Sequence, residues 1–259
     1  MYANNSYRGI QNNSGDVDVT FGTASNQASP WFTQDAGRPG WYGMGAYFVN
    51  LLNGNPPWVP IDPRRAAFAA PRPAPAAANT YVGSPAGNPI AASNIVGANT
   101  FYGRSNSPVS ILSYAESKFI EAEARLLLNQ TDASVQTALD AAVRASFSKV
   151  TSTSDTFATA AKQNDYILKR ATISGTAAQK LETIITQKYI ALYLNPEAWV
   201  DYRRTGYPVL TPAIGGATSI NPNGAIPRRF SYPNSEVTLN PNVKDKSSSL
   251  QSPKLWWDQ

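Results

Sequence analysis

The stretch from Ile184 to Pro208 constrains this chain more than any other. Leu181, Ile184, Ile185 and Leu192 fall on one face at helical spacing, so an apolar helix runs into Asn195-Pro196. Proline lacks the backbone donor and disfavours helix in the residue before it, so the helix breaks there. Pro196 suits a first helical position, and Glu197 then sits in a first turn, where the helix dipole favours a negative charge. Asp201, Arg203 and Arg204 lie among Trp199, Tyr202 and Tyr207, and Gly206 with Pro208 ends the second helix.

Two more helices precede it. Ser113 to Asn129 opens on a capping box, Ser113 with Glu116. Its apolar stripe is Ala115, Phe119, Ala122 and Leu126, and Glu121–Arg125 forms an i,i+4 ion pair on the polar face with Lys118 and Asn129. Asp132 to Val150, capped by Thr131, buries Val135, Leu139, Ala142, Val143, Phe147 and Val150. A short turn between two amphipathic helices predicts an antiparallel hairpin. A weaker helix is expected over Asp155 to Lys169, around Phe157, Tyr166, Ile167 and Leu168, and Thr176 caps the helix leading to the Asn-Pro break.

The other segments are less regular. Residues 1–40 show no helical period, and Asp16 to Phe21 alternates like a half-buried strand. Met44, Tyr47, Phe48, Leu51 and Leu52 fit a helix face within Gly40 to Asn53. Phe68 to Ser107 is rich in proline, alanine, glycine and asparagine, with Tyr81-Val82 and Phe101-Tyr102 as strand ends. Phe230 to Leu239 alternates weakly.

The organising stretch closely resembles the signature of SusD/RagB-like proteins, the surface nutrient-binding lipoproteins of Bacteroidetes. Two further segments resemble that family in the same order: Tyr114-Ala115-Glu116 through Ala122-Glu123-Ala124, and Ile226-Pro227-Arg228-Arg229 with Tyr232-Pro233, Glu236 and Asn240-Pro241-Asn242. Asp62-Pro63-Arg64 and the terminal Trp256-Trp257-Asp258 are similar to family segments too. The resemblance covers roughly the C-terminal half of a family member. It implies a mainly α fold, a tetratricopeptide-like helical scaffold with long irregular loops and minor β. On this reading residues 1–110 are a loop-rich segment with one helix and small β elements, and 111–259 the helical region and tail, together one structural unit and a fragment of a longer chain. Family members carry an export signal and a lipid-modified cysteine, neither of which is present in these residues.

Composition narrows the function classes. Without histidine or cysteine there is no histidine triad, thiol nucleophile, disulfide or zinc site built on those residues. The net charge of +5 is spread without a block of like charges, which argues against a nucleic-acid partner. No run reaches the roughly 20 apolar residues of a membrane helix. Only 15% of residues are charged, so the surface is polar but largely neutral, as in proteins that handle sugars.

Four constellations could carry chemistry. Glu116 and Glu123, two turns apart, are either a hydrolase pair or structural partners of Arg203 and Arg204; the structural reading is favoured, because buried carboxylates are usually paired. Asp16 and Asp18 share a strand face and could meet a calcium ion, but too few further ligands are evident, and no metal site is assigned. Arg203, Arg204, Arg228 and Arg229 are read as structural, since arginine is the preferred cation for buried ion pairs. Trp199, Trp256 and Trp257 lie in family-like segments, with core packing expected. The ligand candidates are Trp31, Trp41, Tyr42, Trp58, Tyr81, Phe101 and Tyr102, rings set in polar, glycine- and proline-rich surroundings. Flat sugar faces stack on such rings while amides and hydroxyls satisfy the sugar oxygens.

The family resemblance implies non-catalytic capture of glycan at the outer membrane, anchored by an N-terminal lipid absent from this chain. Ligand would pass to a SusC-like TonB-dependent transporter, with no cofactor. The alternatives are the same scaffold binding peptide or another non-sugar nutrient, a glycoside hydrolase or lyase, and a helical interaction scaffold with no small ligand.

Overall fold

The structure is a computed structural model that describes residues 9–39, 43–55, 59–71, 80–90, 92–93, 100–150, 158–218, 221–243, 251 and 253–258. Its centre is the predicted antiparallel hairpin. Helix α4 (Tyr114–Leu127) and helix α5 (Asp132–Val150) pack along their length. Ser113 caps α4 by accepting the Glu116 N–H at 3.1 Å. Phe119 and Ala122 of α4 interlock with Val135, Leu139, Ala142, Val143 and Phe147 of α5, and all seven are fully buried. Each large apolar side chain sequestered this way contributes about 1.5–3 kcal/mol.

Helix α6 (Ala160–Arg170) and helix α7 (Ala177–Ala191) close over this pair. Thr159 caps α6, and a complete capping box, Thr176 with Gln179, opens α7. Tyr166 and Ile167 are buried, but Leu168 is 70% exposed, because the face of α6 turned to the core is narrower than periodicity suggested. Phe157 lies outside the described residues. Helix α8 (Glu197–Thr205) follows the Asn-Pro break and ends at Gly206, whose left-handed φ of 77° is readily adopted only by glycine.

The N-terminal part folds onto the ends of α5 and α7. Strand β1 (Val17–Val19) pairs antiparallel with β2 (Val109–Leu112), matching Val17 with Leu112, Asp18 with Ser110 and Val19 with Val109. The strand is therefore shorter than expected, its partner lies beyond the proline-rich segment, and its burial is the reverse of a half-buried apolar face: Val17 and Val19 are exposed while Asp16 and Asp18 turn in to Lys149. Phe101-Tyr102 is not a strand end; it forms a turn whose rings pack inward. Helix α1 (Pro30–Gly37) arises where no helical period was read. Ser29 caps it and Pro30 fills its first position, so local end signals outweigh weak periodicity. Helix α2 (Ala46–Asn53) buries Phe48, Val49, Leu51 and Leu52, and the short helix α3 (Arg65–Phe68) adds Ala67 and Phe68. Helix α9 (Asn234–Leu239) replaces the weak alternation read over Phe230 to Leu239. Its side chains are largely exposed and no strand pairs with it among the described residues, so a helical turn-and-a-half satisfies the backbone internally.

Candidate functional site

Two core clusters meet at the C-terminal end of α7. One is the helical core; the other is a ring lattice built from α2, α3, the 101–102 turn and α7. Phe48 stacks on Tyr193 with centroids 4.5 Å apart, and Phe68 stacks on Tyr102 at 5.8 Å. Tyr102 meets Tyr193 edge-on at 5.6 Å and Phe101 at 5.0 Å. Such ring pairs hold one another in position beyond the area they bury.

The lattice reaches the surface as a groove. Its rings are Trp31 from α1, Tyr102 and Tyr193, and its polar groups include Ser110 of β2 and Asn195 before α8. Its volume is about 80 Å³, well below the roughly 300 Å³ of a pocket that swallows a ligand, so a ligand would lie along it. The turn from α7 takes Leu194 through left-handed backbone, φ 65°, which costs roughly 1–2 kcal/mol for a residue with a Cβ. Tyr193 and Asn195 flank this residue in the groove wall.

Of the seven ring candidates, the structure brings Trp31 and Tyr102 together in the groove. Phe101 supports Tyr102 from behind, with the Arg104 guanidinium 4.8 Å from its ring. Tyr81 packs against the same core but does not line the groove; Arg65 lies 4.3 Å over its ring. Trp41, Tyr42 and Trp58 lie outside the described residues. Tyr193 and Asn195 escaped the sequence reading. Tyr189 on α7 and Tyr193 in the turn just after it stand four apart, and that spacing beside the Asn-Pro break was the available signal.

Asp16 and Asp18 do converge, as alternation requires, and a side chain is the cation between them. Lys149 Nζ lies 2.6 Å from Asp16 Oδ2 and 3.1 Å from both oxygens of Asp18. Asp16 also accepts the Tyr114 N–H at the start of α4, so the pair fastens the sheet to the hairpin.

The other charges form a frame. Arg204 grips both oxygens of Glu123, with Nη2 2.6 Å from Oε2, and also bonds Asp201. Asp201 in turn faces Lys188, whose Nζ is 2.8 Å from Oδ2. Arg203 lies 3.8 Å over the Trp199 ring and donates to the Arg228 carbonyl, while Arg228 pairs with Asp258. Arg229 is half-buried, its backbone N–H bonded to the Gln251 carbonyl. Trp256 departs from the expected packing: it is 88% exposed, whereas Trp257 lies against Arg203.

Glu116 is buried, and its Oε2 has no hydrogen-bond partner among the described residues. Burial pushes its carboxyl above the ordinary value, Lys188 pulls it back, and Glu197 and Asp201 push it up again. A carboxyl whose folded pKa is raised contributes stability below its unfolded pKa, and that contribution is lost as pH rises through the folded one. Glu116→Gln is therefore expected to resist urea at pH 7 at least as well as the parent, its advantage disappearing below about pH 4.3. A variant clearly weaker than the parent at pH 7 would show that the charged form is the one the fold favours.

A family profile described as "Starch-binding associating with outer membrane", SusD-like, matches residues 1–233. Solved structures share the fold. A chitin-binding protein is 22% identical with a TM-score of 0.71, the match covering 96% of this chain and 56% of that one. A SusD homologue from Bacteroides thetaiotaomicron is 21% identical, TM-score 0.71, over 96% of this chain and 57% of its own. A chitin-binding SusD homologue from Flavobacterium johnsoniae is 21% identical, TM-score 0.68, over 96% and 55%. The chain thus spans little more than half the length of these relatives. No curated protein sequence matches it.

Proposed function

The chain belongs to the SusD-like family, and on that premise we propose that it is a non-catalytic nutrient binder that holds glycan at the bacterial cell surface. The observation that carries this reading is the groove in which Trp31, Tyr102 and Tyr193 meet Ser110 and Asn195. Rings supply flat apolar faces for the C–H side of a pyranose, and the amide and hydroxyl serve its oxygens. The family description names starch, and two structural relatives are described as chitin-binding, which supports a carbohydrate ligand.

Binding without bond cleavage accords with the carboxylates. Glu123 is committed to Arg204, and Glu116 is buried beside Lys188 and Asp201, so the two do not flank an open cleft as a glycosidase pair must. The groove is shallow, which suits capture and release. Delivery to a SusC-like TonB-dependent transporter, from a lipid-anchored position on the outer membrane, completes the proposal.

Calorimetry with soluble starch fragments, chitin oligosaccharides and a peptide panel tests it. Heat is expected with at least one glycan, and Trp31→Ala should weaken that affinity about tenfold, or 1.4 kcal/mol. Binding confined to peptides, or glycan binding indifferent to Trp31→Ala, would overturn the reading; so would reducing ends released from polysaccharide.

A further inference from the structure

The rings of the groove account for stacking but not for which sugars are admitted; its charges bear on that. Among the described residues that line it, Lys149 at the end of α5 is the one ionised side chain. A lone lysine in a sugar groove is a ready partner for an acidic sugar. Here it is already taken. Its Nζ lies 2.6 Å from Asp16 Oδ2 and 3.1 Å from each oxygen of Asp18. Two carboxylates meet one ammonium, so the set carries a net negative charge. The Lys149 and Asp16 side chains are 13% and 5% exposed, whereas that of Asp18 is 23% exposed, so the uncompensated charge is open on the Asp18 side.

Contacts carry that charge to the groove wall. The Ser110 hydroxyl, in the wall, donates to Asp18 Oδ1 at 2.5 Å. Its proton is spent, so toward a ligand Ser110 offers lone pairs only: it accepts from a sugar hydroxyl and has nothing to give a carboxylate. Tyr102 feels the same charge. Burial pushes its hydroxyl above the ordinary value, Arg64 opposes, and Asp18 pushes it up further. At the other end, Asn195 Oδ1 accepts the Glu197 N–H at 2.9 Å. The Asn195 amide N–H groups are left for a neutral sugar oxygen, and the exposed Glu197 stands next to the groove-lining Pro196. The cations beside these residues do not offset the negative charge. Arg64 is fully buried and bonded to Asp62, and Arg104 is tied to the carbonyl and ring of Phe101, outside the groove lining.

We propose that the groove selects uncharged glycans and rejects carboxylate-bearing ones such as uronates, and that Asp18 sets this preference through its charge. The chain as a whole carries +5, which by itself would draw a polyanion in. Rejection is therefore a local effect. Like charges brought together at a binding surface repel, whereas a sugar hydroxyl that donates to Ser110 or Asp18 is welcome there. The inference rests on the glycan-binding reading above and names the class of glycan which that reading leaves open.

The test pairs each of two neutral probes, maltohexaose and chitohexaose, with its C6-oxidised form, in which a carboxylate replaces the primary alcohol while ring and linkage are kept. Calorimetry on the whole chain is expected to show the oxidised form binding about tenfold more weakly than its neutral parent at low salt. The gap should narrow as salt rises from about 20 to about 200 mM, because screening weakens repulsion. Asp18→Asn keeps the side-chain shape and removes the net charge, so the gap should fall to about threefold. The salt series uses the unaltered chain and decides the matter even where the variant fails to fold. Oxidised forms that bind as tightly as the neutral ones overturn the selectivity while leaving the groove intact. A gap indifferent to salt and to Asp18→Asn is steric, and ends the proposal too. A gap that closes with salt yet persists in Asp18→Asn assigns the repulsion to another acid and overturns the role of Asp18. A parent chain that binds neither neutral probe overturns the glycan reading itself for these sugars, and this inference with it.

Discussion

Arg64→Met is expected to destabilise the fold by about 3–5 kcal/mol, the cost of stranding a buried charge. Arg64 and Asp62 are both fully buried. Asp62 Oδ1 accepts the Arg64 backbone N–H at 2.8 Å and its Nε–H at 2.9 Å, and Oδ2 accepts Nη2–H at 2.7 Å. The remaining donors reach Ser146 Oγ of α5 at 2.9 Å and the Tyr166 hydroxyl of α6 at 3.1 Å. The guanidinium also lies 4.9 Å from the Phe147 ring centroid. One side chain thus joins α3 to the helical hairpin. Methionine keeps the apolar stem and the backbone N–H bond to Asp62, and deletes every guanidinium bond.

The pH dependence follows from Asp62. Burial by itself would raise its pKa, but the charge and hydrogen bonds of Arg64 outweigh burial and hold the carboxyl below its ordinary 3.8. A depressed pKa contributes stability above the unfolded value, and that contribution is lost as pH falls through the folded one. The deficit of Arg64→Met should therefore be largest at neutral pH and shrink in acid, where the stranded Asp62 takes a proton. Asp62→Ala/Arg64→Met should recover part of the loss, with a coupling of about 1–3 kcal/mol. Urea titrations followed by circular dichroism give all three values. A single-variant loss below about 1 kcal/mol, or strict additivity, would mean the pair is not the joint described here.

Lys188→Met is expected to cost about 3 kcal/mol, somewhat less than Arg64→Met. Lys188 is 4% exposed and faces two buried acids, Asp201 and Glu116. Asp201 keeps Arg204 as a partner in the variant, which limits the damage; Glu116 keeps no comparable cation among the described residues. Glu116→Gln placed in the Lys188→Met background should therefore restore more stability than the same change in the parent. Equal effects in the two backgrounds would dissociate Glu116 from Lys188. Both variants are read by the same denaturation measurement, at pH 7 and at pH 5.

Helix α5 was legible to its ends, Asp132 and Val150, because its six apolar positions repeat at helical spacing and nothing else in that window competes. Helices α7 and α8 were legible for a second reason: Thr176, Asn195-Pro196 and Gly206 are chemical stop and start signals that act within a few residues. Helix α1 was missed although Ser29-Pro30 carried such a signal, since the glycines and asparagines around it masked the period. Strand β2 was missed because its partner is some ninety residues away, as in Asp18 with Ser110, and pairing partners leave no mark on local pattern. Arg64 was read only as part of a family-like Asp-Pro-Arg. Nothing near it in the chain announces Ser146 or Tyr166.

The candidate site divides along the same line. That rings in polar surroundings matter could be read from residue type, but which of them share a groove could not. Trp31, Tyr102 and Tyr193 come from three segments that meet only after α2, α3 and α7 have packed. Trp256 makes the converse case: its segment suggested burial, yet the Asp258 clamp turns it outward. Helix, break and cap are consequences of interactions within a few residues, so the chain carries them in its order. Exposure, ion-pair partners and groove walls are consequences of which surfaces meet across the fold, and only the assembled molecule decides them, because burial is a property of the neighbours and not of the side chain itself.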